Sequence, residues 1–328
     1  MSLADRYGRE IDYLRISVTD RCNLRCYYCM PPQGVPPRAH EDILRYEEIE
    51  RVARAAAGLG ISKIRLTGGE PLVRRGILEL VRMLARVPGI RDLSMTTNGT
   101  LLSRFAADLA RAGLKRVNVS LDSLDEEAYA RITRGGRLSD VLRGIESAEE
   151  AGLTPLKINT VVLRALDHDQ VCDLALLTLQ HDWHVRFIEV MPLRWNAHHF
   201  EADHVSNEDV RAEIVRRLGP LTAVESVPGN GPARYYRLPG ALGTIGFISP
   251  FSEHFCERCN RLRLTADGRL RPCLLSDEEI DIKPVLRKGA ETAEIQEWLM
   301  KAIMAKPEGH QLSANIVPHR RGMSEIGG

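Results

Sequence analysis

Three cysteines stand close together near the start of the chain, at Cys22, Cys26 and Cys29. They follow residues 13–19, where apolar and polar side chains nearly alternate as they do in a strand, so the loop after that strand carries them. Thiols this close in sequence converge on one centre, and iron–sulfur clusters are ordinarily held by four of them. A set of three predicts a cluster in which one iron keeps an open coordination position. The alternative is a zinc site completed by a histidine, although no histidine follows before His40.

A second set of three cysteines lies far along the chain, at Cys256, Cys259 and Cys273. An Asp-Gly pair at 267–268 predicts a hairpin turn that returns Cys273 to the first two. Again a fourth cysteine is missing. His254, two residues before Cys256, offers a fourth zinc ligand, and that alternative stays open beside a second open iron–sulfur cluster.

Two arginines follow the second set at once. Arg261 and Arg263 occupy alternate positions of a predicted strand and therefore share one face of it. Two guanidiniums aimed the same way suit a phosphate group, because each presents several donors in a planar fork. The pairing next to a predicted metal site indicates an anionic substrate.

Composition limits the classes of function. The 328 residues carry a formal net charge of +1, so no global charge directs the chain to nucleic acid or to an anionic membrane. Any anionic substrate must then be met by a local group of cations. Since no apolar run reaches transmembrane length and the first residues lack a signal-peptide core, we expect a cytoplasmic protein with reduced thiols. Seven cysteines in such a compartment favour metal binding over disulfides, with Cys172 interpreted as a core thiol.

Strand and helix patterns alternate from about residue 13 to 191. The predicted strands are 13–19, 61–67, 93–97, 115–121, 156–163 and 185–191, and the predicted helices are 46–58, 77–87, 103–112 with Ser103 as N-cap, 138–151 and 169–180. Six βα units are too few for a closed eight-stranded barrel, so the fold class is α/β, an incomplete (βα)6 TIM-type barrel. The active site is expected at the carboxyl ends of the strands, where all the strand-to-helix loops meet. This edge would bring together the first cysteine loop, the loops 68–71, 96–99 and 120–123, and Met191.

The remainder, 192–328, is expected to be an α+β region that carries the second cluster, so the predicted domains are 1–191 and 192–328. A helix over 206–218 begins at Ser206, short strands cover 233–238 and 243–248, and 278–304 is helical. His198, His199 and His204 lie in a polar loop, where solvation is favoured over a further metal. The last twenty or so residues show no periodicity.

The first cysteine set, with Tyr28 before its last member, resembles the signature of the radical S-adenosylmethionine (SAM) enzymes. Both sets together resemble one family within that group, the GTP 3′,8-cyclases of molybdenum cofactor synthesis. Further matching blocks are Arg-Leu-Thr-Gly-Gly-Glu-Pro (65–71), Thr-Thr-Asn-Gly (96–99), Asn-Val-Ser-Leu-Asp-Ser-Leu (118–124), Arg-Phe-Ile-Glu-Val-Met (186–191) and residues 255–265. The likeness extends over essentially the whole chain.

The resemblance implies a role for each matching residue. Two [4Fe-4S] clusters would be held by Cys22, Cys26 and Cys29 and by Cys256, Cys259 and Cys273. SAM would be contacted by Tyr28, Gly69, Ser120 and Met191. GTP would be held by Arg15, Arg65, Thr96, Lys157, Arg186, Arg261, Leu262 and Arg263. The catalytic set would comprise Arg15, Arg261, Arg263 and the terminal Gly327 and Gly328, whose tail inserts into the barrel in that family.

The implied reaction is of lyase type: an adenosyl radical removes hydrogen from C3′ of the GTP ribose, and the carbon radical then attacks C8 of guanine. The second cluster would bind the guanine ring. Implied partners are an electron donor of flavodoxin or ferredoxin type and the next enzyme of the pathway, cyclic pyranopterin monophosphate synthase, with a homodimer left open. Two rivals remain: a peptide-modifying radical SAM maturase with auxiliary clusters, and a zinc-stapled nucleotide- or RNA-binding module.

Overall fold

The computed structural model describes residues 3–36, 38–164, 168–197, 199–225, 227, 231–312 and 318–327. Its strands are β1 (Tyr13–Ser17), β2 (Lys63–Thr67), β3 (Asp92–Thr97), β4 (Arg116–Ser120), β5 (Lys157–Val162), β6 (His184–Glu189), β7 (Thr222–Val224), β8 (Arg234–Arg237), β9 (Thr244–Ile248), β10 (Arg261–Leu264), β11 (Arg269–Arg271) and β12 (Ile280–Asp281). Its α-helices are α1 (Tyr46–Gly58), α2 (Ile77–Ala85), α3 (Leu102–Ala112), α4 (Glu126–Thr133), α5 (Leu138–Glu150), α6 (His168–Gln180), α7 (Phe200–Asp203), α8 (Asn207–Leu218), α9 (Lys283–Arg287), α10 (Thr292–Met304) and α11 (Met323–Ile326). Within these described residues, no helix is both long enough and apolar enough to cross a bilayer.

The strands form one sheet of twelve, in the order β12-β11-β10-β1-β2-β3-β4-β5-β6-β9-β8-β7. Strands β1 to β6 are consecutive neighbours and run parallel, which confirms the predicted (βα)6 unit. The later part of the chain adds β10 parallel to β1 at one edge and β9 parallel to β6 at the other. The strand that follows the second cysteine pair is thereby an immediate neighbour of the strand that precedes the first cysteine loop.

The two faces of the sheet differ in polarity. On β1, Leu14 and Ile16 are fully buried in the main hydrophobic core. The alternate position between them, Arg15, points to the other face, because successive side chains of a strand alternate. The same alternation on β2 buries Ile64 and Leu66 and turns Arg65 inward. Each buried aliphatic side chain stabilises the fold by about 1.5–3 kcal/mol, so the outer face can support a polar inner one.

Two capping expectations have different outcomes. Ser206 accepts a hydrogen bond from the backbone N–H of Asp209 at 3.1 Å and begins α8 as predicted. Ser103 is not a cap, because α3 already begins at Leu102. Packing of its apolar face, with Leu102, Ala106 and Leu109 buried, decides where that helix starts.

The helix α4 was not predicted. Asp125 caps it by accepting from the N–H of Ala128 at 2.7 Å, and Ala128, Tyr129 and Ile132 are buried. Eight residues are too few for a periodic pattern to stand out, so tertiary packing stabilises this helix.

The prediction of a continuous helix over 278–304 is wrong. Residues Ile280–Asp281 pair with β11, and α9 and α10 are separated by Gly289 at φ +87°. The strand β7, which pairs with β8, was also missed, because three residues show no clear alternation.

Candidate active site

The first cysteine loop follows β1 at the carboxyl end of the parallel strands. The N–H of Cys29 donates to the carbonyl of Cys26 at 2.9 Å, which turns the loop back on itself. Burial and then Glu70 raise the pKa of Cys22 to about 11, and burial and then Cys22 raise the pKa of Cys29 to about 12. Burial, Asp122 and the other two thiols raise the pKa of Cys26. The three thiols therefore interact electrostatically, and burial disfavours the thiolate form of each unless a cation compensates its charge.

The second set also converges. Strands β10 and β11 pair antiparallel, so the turn at 267–268 returns Cys273 towards Cys256 and Cys259 as predicted, and all three line one cavity. Here the charge environment is reversed. Burial works to raise the pKa of Cys259, but Arg261 and Lys306 outweigh it and lower that pKa to about 6.

Both sets consist of thiols alone. His254, considered as a zinc ligand, instead has its Nδ1 2.8 Å from Nε2 of His310 and is exposed. Among the described residues, no three His, Cys, Asp or Glu side chains are placed to hold a single metal ion. Two sets of three half-buried thiols fit the larger core of an iron–sulfur cluster in their chemistry.

One cavity joins the second cysteine set to the inner face of the sheet. It encloses about 1060 Å³ of space not filled by atoms, open solvent at its mouth included. Of the residues predicted from sequence, its wall contains Arg15, Arg65, Thr96, Arg186, Met191, Cys256, Cys259, Arg261, Arg263 and Cys273. No aspartate or glutamate is among the described residues that line it.

Strand register explains how the cations meet. Arg15 on β1 is paired with Arg263 on β10 and with Arg65 on β2, so three guanidiniums stand in one row across adjacent strands. Arg186 on β6 is paired with Asn159 on the adjacent strand β5, and both line the cavity. Neighbouring strands are only about 4.8 Å apart, so these charges repel one another unless an anion lies between them.

The pKa values of these arginines are lowered by burial first and by their neighbouring cations second. Burial first, and then Arg263, lower the pKa of Arg15, while burial and Arg261 lower the pKa of Arg263 to about 10. The pKa of Arg186 is also lowered, with burial as the largest cause. A buried group of like charges is a costly arrangement that an anionic ligand relieves.

Several buried polar atoms of the cavity wall find no hydrogen-bond partner within the described part of the chain: Tyr13 Oη, Thr96 Oγ1, Asn159 Oδ1 and Arg186 Nε. Unsatisfied buried groups are rare in native proteins, so these atoms are candidates for ligand contacts. With the Asn118 amide turned so that its oxygen faces the neighbouring guanidiniums, that oxygen accepts from Arg186 at 2.9 Å and from Arg65.

Two predicted substrate residues lie away from the cavity wall. Lys157 is on the same face as Asn159 but two residues deeper, and burial, Arg186 and Arg116 lower its pKa to about 6. The side chain of Leu262 is buried in the hydrophobic core on the opposite face of β10. Only the backbone of Leu262 is therefore available to a ligand.

Of the residues predicted to contact SAM, Tyr28 belongs to the first cysteine loop, Gly69 packs against it, and Met191 lies in the cavity wall. The hydroxyl of Tyr28 donates to Asp122 at 2.8 Å. Gly69 is packed against the backbone of Arg21, and Gly68 against that of Thr19, so a Cβ at either glycine would collide with the cysteine loop. Ser120 ends β4 at the same edge of the sheet.

Sequence reasoning missed several residues of this site. Asp122 lies in the block 118–124 named above, and its position just after β4 could have identified it. Burial raises the pKa of Asp122 to about 6. Asn159 lies two residues after Lys157 and so shares its strand face. Lys306 lines the cavity, although nothing in its sequence neighbourhood marks it.

The C-terminal tail is docked inside the barrel. Arg263 donates to the carbonyl of Gly327 at 2.8 Å, and the backbone of Ser324 donates to the Cys29 sulfur. Arg321 anchors this segment through two hydrogen bonds to Asp267, at 3.0 and 2.9 Å. Gly328 lies outside the described residues. The tail thus connects the first cysteine loop to the row of arginines.

Glu70 ties two of the site loops together. Its carboxylate accepts from the N–H groups of Leu72 (3.0 Å) and Asn98 (2.7 Å) and from the Thr97 hydroxyl (2.8 Å). Burial outweighs these donors and raises its pKa to about 7. Asn98 in turn donates to Cys22 Sγ at 3.7 Å. The Glu70 carboxylate therefore stabilises the first cysteine loop indirectly, through Asn98.

Substituting Glu70→Gln is expected to lower the free energy of unfolding of the metal-free protein by about 2 kcal/mol, because an amide N–H₂ faces a donor. The folded protein holds a proton on Glu70 that the unfolded chain has lost between about pH 4.5 and 7, so this group contributes less stability as pH rises. The difference in free energy of unfolding between the unmodified chain and Glu70→Gln, measured by urea titration, should therefore become smaller as pH rises over that range. The exposed Glu79→Gln is the control, and an equal loss in both variants would contradict the role of Glu70.

Two family models match successive parts of the chain. Residues 16–177 match the Radical SAM superfamily, and residues 183–312 match Molybdenum Cofactor Synthesis C. Among curated proteins, a GTP 3′,8-cyclase of Pelotomaculum thermopropionicum is 55% identical over 326 residues, which is 99% of this chain and 100% of that protein. A GTP 3′,8-cyclase of Moorella thermoacetica is 51% identical over 326 residues, with 99% and 100% covered.

Solved structures show the same fold at low identity. Streptococcus suis SuiB bound to precursor peptide SuiA superposes with a TM-score of 0.63 at 15% identity, over 93% of this chain and 73% of that one. Native anSMEcpe with bound AdoMet superposes with a TM-score of 0.53 at 16% identity, over 93% and 82%. These likenesses concern the fold alone.

Proposed function

We propose that this chain, which belongs to the GTP 3′,8-cyclase family of the radical SAM superfamily, converts GTP to (8S)-3′,8-cyclo-7,8-dihydroguanosine 5′-triphosphate as a lyase. This is the first step of molybdenum cofactor synthesis. The observation that carries the proposal is a cavity walled by five arginines and three cysteines, with no acidic residue among its described lining. Such a wall suits a polyanion joined to a metal-binding base.

Cys22, Cys26 and Cys29 would hold a [4Fe-4S] cluster with SAM at its open iron. When bound, this cluster supplies the electron that splits SAM into methionine and a 5′-deoxyadenosyl radical. Tyr28, Gly69, Ser120 and Met191 would hold SAM beside it. Because Gly69 brings its loop against the cysteine loop, the two segments that would flank SAM support each other.

The cavity residues would orient GTP. The row of Arg263, Arg15 and Arg65, together with Arg186, would neutralise the triphosphate, and Lys157 would lie behind the cavity wall. Cys256, Cys259 and Cys273 would hold a second [4Fe-4S] cluster, whose role would be to bind the guanine. Fixing both ends of the nucleotide leaves its ribose between the two cysteine sets, where C3′ can meet the adenosyl carbon. The docked tail would complete this wall and exclude water.

The other parts of the proposal rest on family membership. The electron donor would be of flavodoxin or ferredoxin type, and the product would pass to cyclic pyranopterin monophosphate synthase. Residues 1–191 would act as the radical SAM unit and 192–328 as the unit for the second cluster, although β9 and β10 of the latter join the same sheet.

The test is anaerobic reconstitution with iron and sulfide, followed by SAM, dithionite and GTP. We expect 5′-deoxyadenosine and the cyclised nucleotide in equal amounts, and much slower turnover with GMP because two phosphates no longer meet the arginines. Formation of 5′-deoxyadenosine at one rate with and without GTP would overturn the proposal in favour of another radical SAM substrate, such as a peptide. Protein that contains zinc and no acid-labile sulfide would overturn both the GTP 3′,8-cyclase proposal and the alternative of another radical SAM reaction.

A further inference from the structure

The second cysteine site has a buried cation of its own, Lys306, two residues beyond the end of α10. Only 3% of this residue is exposed. Its Nζ donates to the carbonyl of Pro272 at 2.8 Å and to that of Arg261 at 2.9 Å, and it is within hydrogen-bonding reach of the Cys259 sulfur. An ammonium has three protons, and these three acceptors can use all of them.

The two carbonyls belong to residues that lie next to the cysteines in the chain. Pro272 directly precedes Cys273, and Arg261 begins the strand that follows Cys259. One ammonium therefore connects the two arms of the hairpin that must approach each other to share a metal centre. Lysine buries its stem readily, but its charge is buried only where it is paired.

The residues after Lys306 hold the remaining cysteine of the second set, Cys256. Arg9 donates to the carbonyl of Cys256 at 2.9 Å and to those of Pro307 and Glu308 at 2.7 and 2.8 Å. The backbone of His310 donates to the Cys256 sulfur. The segment 306–310 thus contacts every arm of the second cysteine site, with Lys306 as the only charged side chain that it places among the sulfurs in the described structure.

We infer that Lys306 is a positioning residue of the second [4Fe-4S] cluster, which sets the spacing of its ligands and raises its reduction potential. This inference rests on the second cluster of the proposed function. A positive charge and a hydrogen bond at a ligating sulfur both stabilise the reduced form of an iron–sulfur centre, which carries one more negative charge. The first site differs, because the acidic side chains of Glu70 and Asp122 act on its thiols more strongly than the one cation, Arg25, that acts on Cys22. Lys306, together with Arg261, thereby distinguishes the two centres electrostatically.

The test uses the full chain with Cys22, Cys26 and Cys29 replaced by alanine, so that only the second cluster is titrated. In this parent, Lys306→Met should lower the ratio of reduced to oxidised cluster at a fixed potential at least tenfold, which is about 59 mV for one electron. Lys306→Gln keeps donors without the charge, and should bind iron like the parent but show the same shift. The exposed Lys301→Met on α10 is the matched control and should titrate with the parent.

Iron, sulfide and an EPR-monitored redox titration are the measurements. A shifted potential in both variants supports the inference, and so does loss of iron from Lys306→Met while Lys306→Gln keeps a cluster of shifted potential. A cluster of parental potential in either variant overturns it. A parent protein that holds no iron–sulfur cluster would instead overturn the second cluster of the proposed function, and this is observed before any lysine is changed.

Discussion

Replacing Cys256, Cys259 and Cys273 together by alanine is expected to abolish cyclisation of GTP while SAM cleavage survives. Iron should fall from about eight to about four atoms per chain, because one of two four-iron clusters is lost. Without an anchor for the base the ribose is held only through its phosphates, and product formation should fall by about 1,000-fold or more. Liquid chromatography separates 5′-deoxyadenosine from the cyclised nucleotide and measures both.

Two control proteins make this result interpretable. The variant lacking Cys22, Cys26 and Cys29 should form neither compound, although it keeps four iron atoms. Cys172→Ala removes the remaining cysteine, which is buried in α6 away from both sets, and should keep all the iron. A second-site variant that cyclises GTP at the normal rate would contradict the assignment of the base to that site.

Substituting Gly327→Ala is expected to reduce cyclisation by about 100-fold or more while both clusters remain, because a displaced tail misplaces the groups around the substrate. Gly327 has φ +89°, and a Cβ there would collide with the Thr67 hydroxyl and lie 2.9 Å from Ser17 Cβ. Neither β1 nor β2 can move aside, since both are central strands. The Gly327 carbonyl would then move away from the Arg263 side chain that donates to it.

The matched control is Gly240→Ala. Gly240 has a similar φ of +75°, but a Cβ there meets nothing within 4 Å, so it carries the backbone strain without the collision. It should lose some stability and keep its activity. Iron content and the yield of 5′-deoxyadenosine without product, measured for both variants, separate a displaced tail from a damaged cluster. Equal activity of Gly327→Ala and the unmodified chain would show that the tail has no catalytic role.

Local sequence determined the chemistry of this protein and most of its secondary structure. The spacing of each cysteine set, the hairpin turn at 267–268 and the alternation that turns Arg261 and Arg263 to one side all depend on residues within a few positions of one another. The six parallel strands followed for the same reason, since the alternation of strand and helix is a local pattern. The elements that sequence missed, such as α4, α7, α11 and β7, are only three to eight residues long, which is too short for a periodic pattern to stand out.

The tertiary structure alone decided which charges meet. Arg15, Arg65 and Arg186 lie far apart in sequence, yet the register of the parallel sheet turns them into one cavity. Docking of the tail and the three contacts of Lys306 also join segments that no periodicity connects. The physical reason is that a sequence pattern reports which face a side chain occupies, whereas strand order and burial decide what it faces. The net charge of +1 therefore gave no sign of the buried arginines.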